Sequence, residues 1–228
     1  MSQPSPDEPI TAWAFHLEPG TEGWHVLYGG AQTVFPTASF AVGAALVSRI
    51  AAVTADLGRE PDIDLRARTV AVVTARNPRG RLDRVDAEVA RRITAAAAEL
   101  GLRPDPSLLT TIQFAIAESP GVETAPFWRA VLGYEWVEDV LADPQRRWPR
   151  IWFDEIAAPG RGRGHIDVAL PADAGETRLA AVLAAGGRIG RDDGVPDWWG
   201  VVSPDGHLID LAPWGDVAGR PREESVDA

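Results

Sequence analysis

Apolar positions recur along the chain at two spacings. In residues 164–170, Ile166, Val168 and Leu170 alternate with His165, Asp167 and Ala169, so a strand here puts an apolar row on one face and His165 with Asp167 on the other. Residues 112–116 likewise set Gln113 against Ile112, Phe114 and Ile116, and residues 208–211 set Asp210 against Ile209 and Leu211. Elsewhere the spacing is helical. Phe40, Ala44, Val47, Ile50 and Ala51 share one face, with Thr37 or Ser39 to cap the start and Gly58 to end it. Val85, Val89, Ile93, Ala96 and Leu100 form a second stripe, opened by an approximate capping box at Asp83 and Asp86 and closed by Gly101.

Residues 24–35 read as two extended pieces broken at Gly29-Gly30, and residues 62–74 as further strand. Strand, strand, helix, strand, strand, helix predicts a small antiparallel sheet with two helices on one face. Residues 1–22, without periodicity, read as a flexible N-terminal arm. The proline-bearing stretch 101–107 reads as a connector between domains at 23–102 and 108–215. Beyond it one pattern occurs twice: strand 111–117, helix 124–132 and strands 134–141 and 150–156, then strand 165–170, helix 174–185 and strands near 198–202 and 208–211. The offset of about 52 residues marks an internal repeat whose two open sheet faces are expected to pair into one cleft. Residues 186–190 follow a helix and read as a loop, and residues 216–228 as a tail.

A net charge of −11 argues against a nucleic-acid partner. With no cysteine, disulfides and thiolate metal sites are excluded, leaving His, carboxylate and amide oxygen as metal ligands. No apolar run approaches the roughly 20 residues of a membrane span, and the polar N-terminus lacks a signal-peptide pattern. The expectation is a cytoplasmic protein with no membrane partner.

The helix from Phe40, the run Arg59-Glu60-Pro61-Asp62-Ile63-Asp64-Leu65, the strand from Val70 and the segment Leu82-Asp83-Arg84-Val85-Asp86 before an alanine-rich helix resemble pterin-4a-carbinolamine dehydratases over residues 24–101. In that family a His-His-Pro turn supplies the acid and base groups. Here Arg59 and Glu60 stand where the histidine pair belongs, and only Pro61 and Asp86 match. Arginine cannot shuttle protons near neutral pH, so Glu60 is the one credible replacement base. The resemblance therefore implies a degenerate scaffold, with retained dehydratase activity through Glu60 as an alternative.

Ala125-Pro126-Phe127-Trp128-Arg129-Ala130-Val131-Leu132-Gly133, Arg163-Gly164-His165-Ile166-Asp167-Val168 and Ser203-Pro204-Asp205-Gly206-His207-Leu208-Ile209-Asp210-Leu211 resemble the glyoxalase-like members of the vicinal oxygen chelate superfamily over residues 109–214. The fold class expected for the whole chain is α+β, a small antiparallel sheet with two helices followed by a paired βαβββ glyoxalase-like domain. By position the resemblance implies Gln113, His165 and Asp210 as ligands of a divalent transition metal, with Glu155 either a further ligand or a catalytic base. Strand parity leaves open whether Asp154 or Glu155 points inward.

The alternative is a metal-free pocket in which His165 and Asp210 bind a ligand or one another. Trp152, Trp198 and Trp199 are candidate apolar walls, and Trp198-Trp199 must point to opposite faces if extended. Arg163 is a candidate contact for an anionic ligand. Lyase or isomerase chemistry on a small molecule, sequestration of an aromatic metabolite or antibiotic, and pterin dehydration are the functions these readings imply. Both resemblances imply a homodimer.

Overall fold

The computed structural model describes residues 5–118, 120–121, 123, 125–155, 164–192, 194–195, 197–202 and 208–213. In the first half, β2 (His25–Leu27), β3 (Gly30–Pro36), β4 (Asp62–Leu65) and β5 (Thr69–Thr74) form an antiparallel sheet in the order β2-β3-β5-β4. Helices α2 (Phe40–Thr54) and α3 (Arg84–Glu99) cover one face. There Leu46, Ile50, Val89 and Ile93 pack with Phe35, Val70 and Val72 in one buried cluster. Ser39 caps α2 through the Val42 N–H (3.3 Å). The Asp86 carboxylate accepts from the Asp83 backbone (2.7 Å), tying down the first turn of α3 as its sequence predicted.

The expected arm is part of this unit from Pro9 onward. β1 (Pro9–Ile10) pairs with β6 (Leu82–Asp83), and α1 (Ala12–His16) buries Phe15 and Ala12 in the main cluster. Five residues are too few to display a helical period, so the amphipathic pattern was not visible in the sequence. Thr11 caps α1, and the Thr21 hydroxyl donates to the Phe15 carbonyl (3.2 Å). Burying Phe15 contributes about 2–3 kcal/mol, enough to hold a segment with so few other anchors.

The second half is one eight-stranded sheet, ordered β12-β13-β14-β11-β7-β10-β9-β8. Its strands are β7 (Thr111–Glu118), β8 (Glu135–Val137), β9 (Val140–Ala142), β10 (Ile151–Glu155), β11 (Gly164–Ala169), β12 (Arg188–Arg191), β13 (Trp199–Val202) and β14 (Leu208–Ala212). Each repeat has its first strand central, parallel to its fourth, with the third and second outward. The repeats join where β7 and β11 pair antiparallel.

Two strand expectations are corrected. Residues 134–141 form a hairpin, with Glu138 at φ 59° in the turn. The glycine-rich stretch after α5 (Gly175–Ala184) holds β12, an exposed edge strand whose pairing with β13 is irregular, which hides its alternation. Helix α4 (Ala125–Leu132) packs Ala125 and Trp128 against Ile116, Ile151 and Phe153. Helix α5 lies over Trp199, whose ring would stand 3.2 Å from a Cβ added at Gly175.

The halves share a core. Leu27 and Val34 of the first sheet, with Tyr28 of its hairpin turn, pack with Leu109 and Ala169 of the second half. Every residue of β3 except Pro36 is therefore buried, since both faces of this strand are covered. Arg79–Asp139 (2.6 Å), Arg81–Glu138 (2.6 Å) and Arg146–Asp62 pairs line the rim. At the hairpin between β2 and β3, Gly30 has φ +132°, and a Cβ there would fall 2.4 Å from the Thr74 carbonyl. The glycine is required by this close approach, which fixes Tyr28 at the seam.

Candidate functional site

Four strands build the site by register. Asp167 on β11 lies opposite Gln113 on β7 and beside Asp210 on β14, while His165 lies opposite Ala115. Trp152 on β10 flanks the same Ala115. This residue is small and buried, and the rings of His165 and Trp152 meet across it edge to face, with centroids 5.9 Å apart. The concave side holds a cavity of about 650 Å³ lined by Gln113, Trp152, His165, Asp167, Trp198 and Asp210 among others.

His165, Asp167 and Asp210 each direct one ligand atom into the same small volume, all within 4.8 Å of one another. His165 Nε2 lies 3.0 Å from Asp167 Oδ1 and 3.4 Å from Asp210 Oδ2. The approach to Asp167 is off the hydrogen-bonding angle, and both His165 Nε2 and Asp167 Oδ1 are buried without a hydrogen-bond partner. Such orphaned atoms are costly in a folded interior. The contact with Asp167, and after it that with Asp210, still pushes the His165 pKa up to about 9, against burial, which acts in the opposite direction. Burial works to raise Asp210, but His165 and Arg191 outweigh it and hold this carboxyl below its ordinary value.

Asp167 is only 3 % exposed. Its second oxygen accepts from Trp152 Nε1 (2.6 Å) and Gln113 Nε2 (2.7 Å). Gln113 Oε1 in turn accepts from Arg150 Nε (2.6 Å). The amide expected as a ligand is thus committed at both ends and acts as a strut between Arg150 and Asp167. Asp167, and not Gln113, joins His165 and Asp210 in the cluster of possible ligand atoms. Its signal was present in the sequence, because His165 and Asp167 are two residues apart and a strand points both to one side.

The cleft also holds residues that periodicity did not single out. Arg191 approaches Asp210 (3.3 Å) and lies 4.9 Å from the centre of the Trp198 ring. Tyr28 and Arg79 come from the first half and border the same cavity. Arg150 stacks on the Tyr28 ring at 4.7 Å.

Several expected residues fall elsewhere. Trp152 faces the cleft, so parity turns Asp154 inward and Glu155 away. Both carboxylates are exposed, but Asp154 borders the cavity and Glu155 does not; among the described residues Glu155 has a 3.5 Å contact from the Gly121 N–H. The catalytic assignment of Glu155 does not match this geometry. Trp198 lines the cavity but Trp199 packs beneath α5, because consecutive residues entering a strand diverge. Arg163 lies outside the described residues.

In the first half Glu60 is exposed and borders neither this cavity nor a smaller one of about 280 Å³ at the seam. Its neighbour Arg59 turns inward to Asp83 (2.8 Å) and approaches Asp86 (3.7 Å). Asp86 also accepts from the Thr74 hydroxyl (2.5 Å), and burial raises its pKa. Arg59 is thus held in an ion-pair cluster with Asp83 and Asp86, and Glu60 lies outside it.

Residues 113–212 match the family model described as Glyoxalase-like domain. No curated protein matches the chain. The match supports the glyoxalase-like part of the reading, and with it a small-molecule binding or enzymatic role for the second half. Among the described residues no helix is long and apolar enough to cross a membrane.

Proposed function

We propose that the chain is a small-molecule enzyme of lyase or isomerase type working in the cleft of its glyoxalase-like half, with the first half as scaffold and partial wall. The convergence of His165, Asp167 and Asp210 on one point carries this reading. One imidazole and two carboxylates, with two buried atoms lacking partners, fit a divalent transition metal. His165, Asp167 and Asp210 would hold it. When bound, such an ion supplies Lewis-acid polarisation of vicinal substrate oxygens.

The chain's own groups do the rest. Gln113 and Trp152 fix one Asp167 oxygen and so aim the other at the site. Trp152 and Trp198 provide flat apolar walls that exclude water and orient the substrate. Asp154, at the cavity edge and free of the strut network, is the group placed to take a proton from bound substrate.

A second reading is a metal-free binding protein for a flat metabolite or antibiotic. It is favoured by one observation: Asp210 already faces two cations, His165 and Arg191. Turnover assays on 2-hydroxy and 2-oxo compounds with added Mn²⁺, Ni²⁺ or Zn²⁺ distinguish the two. Metal-dependent product formation that H165A abolishes supports the enzyme; stoichiometric binding without product supports the second reading.

A further inference from the structure

Arg150 is 6 % exposed, yet among the described residues no carboxylate pairs with it. Of its five N–H groups, Nε–H goes to Gln113 (2.6 Å) and one on Nη1 to the Arg79 carbonyl (2.8 Å). Among the described residues nothing accepts from Nη2. The nearby acids are engaged, Asp139 with Arg79 (2.6 Å) and Asp167 with Gln113 and Trp152. Burial first, and then the charge of Arg79, lower the guanidinium pKa to about 10. Asp139 and Asp167 act on it only through space, and a desolvated cation with no carboxylate bonded to it is costly to keep.

The charge is directed into the cleft. Arg150 borders both cavities, but its hydrogen-bond partners Gln113 and Arg79 border only the larger one. Tyr28 covers one face of the guanidinium, and the Nη edge keeps N–H groups from which a planar anion can accept two parallel bonds. The single Gln113 amide spans the gap from Arg150 to Asp167.

From this geometry we infer that Arg150 is the seat of a ligand carboxylate, and that the cleft takes a small 2-hydroxy or 2-oxo carboxylic acid whose neighbouring oxygen faces His165 and Asp210. The inference rests on the reading that this cleft binds a small molecule. It gives the first half a part in recognition, because the Tyr28 ring and the Arg79 carbonyl hold the guanidinium in place. A dianionic phosphate is disfavoured by the same site, which offers one guanidinium edge beside two aspartates.

Calorimetric titration of the full chain with mandelate and its neutral amide, mandelamide, is the test. Mandelate carries the carboxylate, the adjacent hydroxyl and an aromatic ring for the tryptophan walls. The expected result is saturable 1:1 mandelate binding about 10- to 100-fold tighter than mandelamide, the range for a charged hydrogen-bonded pair. R150Q, shown by circular dichroism to be folded, should abolish the preference. Equal binding of the two compounds by wild type would overturn the carboxylate seat while leaving the cleft reading intact, and requires no variant. A preference that survives in R150Q would also overturn it, and binding of neither compound would overturn both.

Discussion

Raising the pH should weaken the fold through one group, His165. Its pKa rises from an ordinary 6.5 to about 9 in the folded chain through the contacts with Asp167 and Asp210. At about 1.4 kcal/mol per pH unit, the two aspartates contribute about 3 kcal/mol to stability while His165 is protonated. The folded state binds this proton more tightly than the unfolded chain does. The contribution is therefore fully present below pH 6.5, declines as pH rises, and is gone above about pH 9.

Urea denaturation of metal-free protein followed by tryptophan fluorescence, wild type beside H165Q at pH 6, 7.5, 9 and 9.5, isolates the term, since other titrations cancel in the difference. The stability difference should shrink by about 3 kcal/mol across the series. Proton NMR of the His165 ring supplies the midpoint independently. A constant difference, or a midpoint near 6.5, would refute the arrangement of His165 between the two carboxylates.

Q113L should destabilise the protein by about 2–3 kcal/mol in the same assay, because it strips partners from a buried guanidinium and a buried carboxylate at once; a loss below about 0.5 kcal/mol would contradict its role as a strut. W199A should cost about 1–3 kcal/mol by removing the half-buried ring that packs under α5, whereas W198A should act mainly by weakening ligand binding in titrations. No turnover of a pterin 4a-carbinolamine is expected from the full chain, and turnover that E60Q removes would overturn the scaffold role of the first half. Light scattering should give a homodimer: the outer sheet face exposes Ile112, Phe114 and Ile166 side by side, and F114D should shift the mass toward monomer.

The sequence carried most of this architecture because its signals were local. The capping box at Asp83 and Asp86, the repeat offset, the inward row of Gln113 and His165 and the divergence of Trp198 from Trp199 each follow from spacing alone. What was not legible depended on distant pairing. That Gln113 would be consumed as a strut needed Arg150 and Asp167 to flank it from two other strands. Tyr28 and Arg79 reach the cleft only because the two halves dock, which no pattern within either half encodes. Parity was undecidable for Asp154 and Glu155 until Trp152 was seen to donate to Asp167. Helix α1 and strand β12 were too short or too irregular to show a period.

Elemental analysis of freshly purified protein, wild type beside H165A, D167A, D210A and Q113L, tests the cleft most directly. Wild type should carry close to one divalent transition metal per chain, lost in the first three variants. Q113L should still load metal, since the amide oxygen serves Arg150 and the ligand atoms lie on the other three residues. Wild type that takes up no metal even after reconstitution, or that keeps it when His165 or Asp167 is removed, would contradict the metal centre and leave the cleft as a binding pocket.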